Sequence, residues 1–257
     1  MTPDTIVFLH IPKTAGQTIH NALVGVVGGP AHVSPVRTHT QATPETQFPP
    51  GYRLYSGHID WIALADVPRP RFVFTVLRDP RERIASFYFY LLKEARALSP
   101  EALARPENTG KRKLLEMSVD DYFLGGDAAW QGFIRDHYDN FYCSYFATGR
   151  MRGHRLIRDL DRAALLARAQ DGLAQLDRVY LTTGLAALEE DIATRYGQRI
   201  RVAGQYHNTG SHALDEQRWP RLMAALERDA SRGALEGFAA KDEALMAALS
   251  GETAAAG

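Results

Sequence analysis

The sequence predicts an α/β fold in which a parallel sheet is flanked by helices on both faces. Apolar runs typical of strands lie at about residues 5–9, 52–56, 71–77 and 179–183. Helical patterns separate them, at about 17–27, 81–98, 119–124, 128–148, 162–176, 185–196 and 215–249. Because strands that alternate with helices usually pair in parallel, this order favours a doubly covered sheet.

Length and composition predict one domain over residues 1–257. The chain has 257 residues, of which 45% are hydrophobic, and that share is enough for a full core. We expect a disordered tail only at residues 250–257. Two segments, 28–51 and 99–113, are rich in proline and polar residues and are predicted to be long loops, which in compact domains are usually functional.

The first strand leads into a turn that has the chemistry of a phosphate site. The run His10-Ile11-Pro12-Lys13-Thr14-Ala15-Gly16-Gln17-Thr18 joins the strand to a helix marked by Ile19, Leu23 and Val26. Amides at a helix N-terminus and a lysine both attract an anion. A Walker A loop is excluded because Lys13 precedes the only glycine here by three positions. The plainer alternative is a β-turn with a surface lysine.

The strand at 71–77 leads into a second motif, Arg78-Asp79-Pro80, followed by a helix that contains Ser86. Asp79 is suited to cap that helix and Pro80 to its first position. Arg78 lies where open α/β sheets bind ligands, and Ser86 follows two helical turns later. The alternative is a capped amphipathic helix with a solvated basic first turn.

These two motifs together resemble the sulfotransferases that use 3′-phosphoadenosine 5′-phosphosulfate (PAPS), in particular the glycan sulfotransferases. The resemblance implies a P-loop-kinase-like fold, PAPS as sulfuryl donor and 3′,5′-adenosine bisphosphate (PAP) as product. It also implies that Lys13 stabilises the leaving group and that Arg78 and Ser86 bind the 3′-phosphate. The predicted 5′-phosphosulfate loop comprises Lys13, Thr14, Ala15, Gly16, Gln17 and Thr18, with the hydroxyls of Thr14 and Thr18 contributing.

A third segment, Tyr55-Ser56-Gly57-His58, follows the strand at 52–56. It is similar to a Tyr-His-Gly-His segment of the uronyl and heparan sulfate 2-O-sulfotransferase branch, in which histidines supply the catalytic base. His58 matches the second of those histidines and is predicted to be the general base, while Ser56 replaces the first. That departure leaves one imidazole for the role, because His10 is interpreted as a packing residue at the strand end.

The segment Tyr206-His207-Asn208-Thr209-Gly210-Ser211 resembles the late loop that closes over the nucleotide in the same enzymes. Tyr206 and Ser211 are its predicted cofactor contacts. A polar turn whose side chains bond their own backbone is the alternative.

Charge and cysteine content limit the partners and the location. Thirty basic and thirty acidic residues give a formal net charge of zero, so we expect neither nucleic acid nor a membrane as partner. Basic clusters at residues 69–83 and 111–113 are the candidates for binding anions. We expect no metal, because the nine histidines are scattered. The single cysteine favours a reducing, cytoplasmic and bacterial setting, and the alternative is a lumenal catalytic domain trimmed from its anchor.

The predicted function is therefore sulfuryl transfer from PAPS to an acceptor hydroxyl, with a carbohydrate as the favoured acceptor. A small glycolipid, peptide or metabolite hydroxyl stays open. A nucleotide kinase would need a Walker A loop and an acidic magnesium ligand, and neither is found. A module that binds anions without catalysis is the remaining alternative.

Overall fold

The structure is a computed structural model that describes residues 4–204 and 217–255, with side chains to residue 249. Within these residues one parallel sheet is formed by β1 (Thr5–Leu9), β2 (Leu54–Gly57), β3 (Arg71–Leu77) and β4 (Arg178–Leu181). The helices are α1 (Gly16–Val26), α2 (Pro80–Arg96), α3 (Pro100–Leu103), α4 (Thr109–Glu116), α5 (Val119–Leu124), α6 (Ala128–Tyr138), α7 (Phe141–Thr148), α8 (His154–Ile157), α9 (Arg162–Leu173), α10 (Leu185–Tyr196), α11 (Arg218–Ala224) and α12 (Asp229–Ala255).

The strand order is β2-β1-β3-β4, and every pairing is parallel. Leu9 at the end of β1 is in register with Gly57 of β2 and Thr75 of β3. The loops after β1, β2 and β3 therefore leave the same edge of the sheet, side by side. This arrangement confirms the predicted α/β class and brings the three sequence motifs to one edge.

Both faces of the sheet are buried. On one face, side chains of all four strands pack against α1 and α10 in a core that contains Ile6, Phe8, Phe72, Phe74, Val76, Tyr180, Ile19, Leu23, Leu188 and Ile192. On the other face, Val7, Leu9, Val73 and Leu77 are also buried. The near-continuous apolar composition of β1 and β3 follows from this double burial, as is usual in parallel sheets.

The chain forms two compact units, residues 1–78 with 142–216 and residues 79–141 with 217–257. The first unit contains the sheet. The second is helical, and its core is rich in aromatic rings, including Tyr88, Tyr122, Trp130, Tyr138 and Phe238. A single domain over the whole chain stays a prediction.

Three segments depart from the predicted secondary structure. The predicted loop at 99–113 contains α3 and most of α4, because Ser99 caps a helix that begins at Pro100. The helical pattern predicted at 215–249 is divided into two helices, α11 and α12. The last helix runs to Ala255, whereas we expected a disordered tail from residue 250; the alanine-rich composition favours helix there.

The predicted helix at 128–148 is also divided, at Asn140, which has a left-handed backbone with φ of 46°. In the second unit the Asn140 side chain donates to the carbonyl of Gly237 (3.0 Å) and accepts from the amide of Lys241 (2.7 Å). Gly237 and Lys241 are four residues apart in α12, so one asparagine amide bonds both members of an i, i+4 backbone pair. Asparagine tolerates this conformation better than most residues, which explains the break.

Candidate active site

The turn after β1 has an unusual backbone. Lys13 and Ala15 have φ of 73° and 65°, in the left-handed region that residues with a side chain seldom adopt. Such conformations concentrate at functional sites, where the surrounding structure maintains them. Ala15 is the N-cap of α1, and it provides no side-chain cap. The first turn of α1 also lacks an acidic residue, so its amides are suited to an anionic ligand.

The Thr14 side chain is used inside this turn. Its hydroxyl donates to the carbonyl of Ile11 (2.9 Å), and the residue is fully buried. This bond uses the only hydroxyl hydrogen of Thr14, and the predicted contact of Thr14 with the 5′-phosphate stays a prediction. Gln17 is exposed and donates to the side chain of Asn21, while Thr18 is buried within α1.

Gly16 allows a close approach by His10. A Cβ atom at Gly16 would lie 1.7 Å from Nε2 of His10, far inside contact distance. The His10 ring also stacks on Phe8, with 5.4 Å between ring centroids, and the residue is buried. The predicted packing role of His10 is therefore seen, and it explains why a glycine is required at the start of α1.

His58 lies directly beside His10. The two ring centroids are 4.2 Å apart, and Nδ1 of His58 lies 2.7 Å from the backbone oxygen of His10. A carbonyl only accepts, so Nδ1 carries the hydrogen, and the neutral ring then has its lone pair on Nε2. His58 is partly exposed. Two imidazoles occur here, not one, although the second comes from the strand end of β1 and not from the position of Ser56.

Burial and neighbouring positive charge keep both rings neutral. Burial lowers the pKa of His10 well below its usual 6.5, and His58, Arg37, His20 and Lys13 lower it further. Burial also lowers the pKa of His58, a shift that the bond to the His10 carbonyl opposes, while Arg37, His39 and Lys13 add to the lowering. At neutral pH the Nε2 of His58 can therefore accept a proton.

Ser56 belongs to a separate hydrogen-bond chain with His20 and Arg37. The Arg37 guanidinium donates from Nη1 to Nε2 of His20, and Nδ1 of His20 lies 3.2 Å from Oγ of Ser56. Because arginine only donates, His20 accepts through Nε2 and donates through Nδ1. Burial, and then Arg37, lower the pKa of His20 to about 4, which agrees with a neutral ring.

Arg78 is positioned by a residue that the sequence did not single out. The buried Tyr142 of α7 donates its hydroxyl hydrogen to the carbonyl of Arg78 (2.8 Å) and accepts from the Arg78 amide (3.1 Å). These two hydrogen bonds to the Arg78 backbone hold the loop at the end of β3. Ser86 lies in the second unit, on the buried side of α2, and its pairing with Arg78 stays a prediction.

The two predicted basic clusters do not form anion sites as clusters. Arg71 donates to the carbonyl of Leu64 (2.7 Å), and Arg83 is 1% exposed and donates to the carbonyl of His137 (2.8 Å). Arg81 pairs with Glu236 and Glu243, and Lys113 with Asp127. These cations are close together in the sequence, but in the folded chain their side chains contact different partners.

Tyr206 and Ser211, the predicted contacts of the late loop, lie outside the described residues. Among the residues that the structure describes, no helix is long and apolar enough to cross a membrane. In the same part of the chain, no group of three or more histidine, cysteine or acidic residues could hold a metal ion.

Comparison with known proteins identifies the family of this chain. A search of curated proteins gives no match. The model of a family described as the sulfotransferase family matches residues 2–136. That range is more than half of the 257 residues and contains Lys13, His58, Arg78 and Ser86. The chain therefore belongs to the sulfotransferase family, and its general activity is sulfuryl transfer.

Proposed function

We propose that this protein transfers the sulfuryl group of PAPS to a hydroxyl of a carbohydrate acceptor, with His58 as the general base. The observation that carries the proposal is the hydrogen bond from Nδ1 of His58 to the carbonyl of His10, next to the strained turn at Lys13. It joins the proposed proton acceptor, just after β2, to the proposed anion-binding turn, just after β1.

The donor side of the site would be formed by the turn and the start of α1. The 5′-phosphosulfate would contact Lys13 and the amides of residues 14–18, which point from an uncapped helix N-terminus. The 3′-phosphate would contact Arg78 and Ser86, and the adenosine would contact Tyr206 and Ser211. The fit rests on the chemistry of the protein groups: the Lys13 cation and the hydrogen-bond-donating backbone amides suit an anion that carries several charges.

The proposed step is an in-line displacement at sulfur. As the acceptor oxygen forms its bond to sulfur, Nε2 of His58 takes the hydroxyl proton. The bond between sulfur and the bridging oxygen breaks, and its electron pair stays on the 5′-phosphate of PAP. Lys13 stabilises the charge that develops on that oxygen, so positioning and electrostatics supply most of the rate.

The carbohydrate acceptor and the cytoplasmic location rest on two further observations. A sugar hydroxyl is favoured by the likeness of the His58 segment to the uronyl 2-O-sulfotransferase branch. A cytoplasmic location is favoured by the single cysteine, Cys143, which is buried and cannot form a disulfide within the chain.

Radiolabelled PAPS offered with a panel of carbohydrate, glycolipid and peptide acceptors tests the proposal. We expect label on a carbohydrate and a loss of about a hundredfold or more in turnover for Lys13→Ala, the scale for removing one transition-state donor. Arg168→Ala, which removes an exposed positive charge from α9, is the control and should stay within a fewfold of the wild type. Label transfer that is undiminished in Lys13→Ala would contradict the mechanism. Transfer from ATP and not from PAPS would favour the kinase alternative.

A further inference from the structure

Arg37 lies beside the proposed base because its segment of the chain pairs with the backbone of His58. The amide of His58 donates to the carbonyl of Arg37 (2.9 Å), and the amide of His39 donates to the carbonyl of His58 (2.6 Å). A Cβ atom at Gly57 would lie 2.2 Å from the Arg37 carbonyl, so glycine permits this close pairing. Both backbone groups of His58 are therefore bonded to one short segment, residues 37–39.

The side chain of Arg37 is held on the same face of the sheet as the His58 ring. Its Nη1 donates to Nε2 of His20, and Nδ1 of His20 lies 3.2 Å from Oγ of the buried Ser56. Alternate residues of a strand point to one face, and His58 continues the pairing of β2 through its bridge to Thr38. Ser56 and His58, two positions apart, therefore share the face on which α1 contributes His20. The guanidinium is fixed there before any ligand binds.

The positive charge of Arg37 has no acidic partner in the described part of the chain. The described hydrogen bond of its guanidinium is to His20, and its buried Nε has none. The field of a partly buried cation is screened less by solvent than that of an exposed one. A nearby positive charge disfavours the charged form of an imidazole, and His58 becomes positive when it takes up a proton.

The principal groups that act on the His58 ring are neutral or cationic. Its Nδ1 bonds to the neutral carbonyl of His10 (2.7 Å), whose ring centroid lies 4.2 Å away. Burial lowers the pKa of His58 most, the bond to the carbonyl opposes the shift, and Arg37 lowers the pKa more than His39 or Lys13 does. In a serine hydrolase triad a carboxylate at Nδ1 stabilises the protonated ring. His58 has the reverse setting, with a carbonyl at Nδ1 and a fixed cation on the same face.

We propose that Arg37 is a positioning residue for the general base: its fixed positive charge keeps the ring of His58 in the neutral form that accepts a proton. This inference rests on the proposed function and adds a residue that need not touch the donor or the acceptor. His20 and Ser56 take part by fixing the guanidinium. The chemical consequence is a base that stays available at lower pH than an ordinary histidine.

Titration of His58 by NMR in the nucleotide-free protein tests the inference without a catalytic assay. Arg37→Gln removes the charge but keeps an amide that can donate to His20, and it should raise the pKa of His58 towards 6.5. Arg37→Lys keeps the charge and should keep most of the lowering. The acid limb of the transfer rate should move to higher pH in Arg37→Gln and less in Arg37→Lys. A purely structural role would lower the rate at every pH without moving this limb.

Arg53→Gln is the matched control. Arg53 precedes β2, at the opposite end of the strand, and donates to the carbonyl of Val27 (3.1 Å). This variant loses the same charge, but the pKa of His58 should stay at its wild-type value. An unchanged pKa of His58 in Arg37→Gln would overturn the inference, as would an equal shift in Arg53→Gln. A wild-type pKa of 6.5 or above would also overturn it.

His20 reports whether the local field has changed. In folded Arg37→Gln, the pKa of His20 should rise from about 4 towards 6.5. If Arg37→Gln does not fold, Arg37→Met supplies a second neutral variant with a flexible side chain that suits a partly buried position. Failure of both to fold would assign Arg37 to the fold and overturn the inference.

The two proposals fail in different ways. Transfer of label from PAPS, with His58 unshifted in Arg37→Gln, would overturn this inference alone. Failure of the wild type to bind PAP or transfer label, with His58 shifted as expected, would overturn the proposed function.

Discussion

Gly16→Ala is expected to destabilise the protein through a single contact, with His10. The added methyl group would lie 1.7 Å from Nε2, 1.8 Å from Cδ2 and 2.3 Å from Cε1 of the ring. Gly16 does not have a left-handed backbone, so the substitution causes no strain of its own. Any loss of stability therefore reports the position of the imidazole.

The size of the effect follows from how far the ring must move. Carbon atoms are in good contact at about 3.5 Å, so the ring must shift by roughly 1.8 Å, the difference between 3.5 Å and 1.7 Å. His10 is 8% exposed and has Phe8 and His58 against its ring. Overpacking of this kind costs about 1–3 kcal/mol, and the better helix propensity of alanine returns at most about 1 kcal/mol.

Urea unfolding of four proteins measures the effect: the wild type, Gly16→Ala, His10→Ala and the double variant. Removing the ring makes room for the methyl group, so Gly16→Ala should cost less in the His10→Ala background. We expect a coupling free energy of about 1 kcal/mol or more in favour of the double variant. Gly25→Ala is the control in the same helix, since nothing lies within 4 Å of its added methyl group. It should be neutral or stabilising.

Two results would refute this reasoning. One is a Gly16→Ala protein as stable as the wild type. The other is strict additivity of the two single substitutions, which would show that the His10 ring is not what excludes a side chain from Gly16.

The nucleotide and base assignments lead to two more predictions. Calorimetry should show PAP binding at least tenfold more tightly than 5′-AMP, because the 3′-phosphate adds charge-assisted bonds, and Arg78→Ala should erase most of that difference; equal affinities in the wild type would remove Arg78 from the site. His58→Ala should lower turnover by about a hundred- to ten-thousandfold with little change in PAP affinity. Burial lowers the pKa of His58, and the charges of Arg37, His39 and Lys13 add to the lowering, while the hydrogen bond to the His10 carbonyl opposes it. The neutral base therefore persists to lower pH, and the acid limb of the wild-type rate should lie below pH 6.5; a limb that is unchanged in His58→Ala would assign the base elsewhere.

The sequence predicted those parts of the fold that depend on local patterns. The structure confirms the apolar runs of β1 and β3 and the bounds of α5 and α10. Hydrophobic periodicity and helix caps depend on residues that are close together in the sequence. The break at Asn140 was missed because its cause is a contact with α12, about a hundred residues later. Only the tertiary partner explains the interruption.

The candidate site also contains residues that local sequence patterns predicted and residues that they did not. Lys13, His58 and Arg78 were predicted because each lies at or shortly after the end of a strand, and parallel pairing brings such positions to one edge of the sheet. Arg37 gave no signal, since it lies in a proline-rich segment without periodicity, and its pairing with His58 is known only from the structure. Tyr142 was read as part of a helix, and its two bonds to the backbone of Arg78 link residues 64 positions apart.

The serine at position 56 changes how the base is supported. In the 2-O-sulfotransferase branch that the segment resembles, a histidine takes this place, but here Ser56 is fully buried and accepts from His20. His10 supplies the second imidazole beside His58, and burial holds the pKa of His10 well below its usual value. The His10 ring is buried and lies against Gly16. We therefore expect proton transfer to fall to the more exposed His58, with His10 holding it through its backbone carbonyl and its ring.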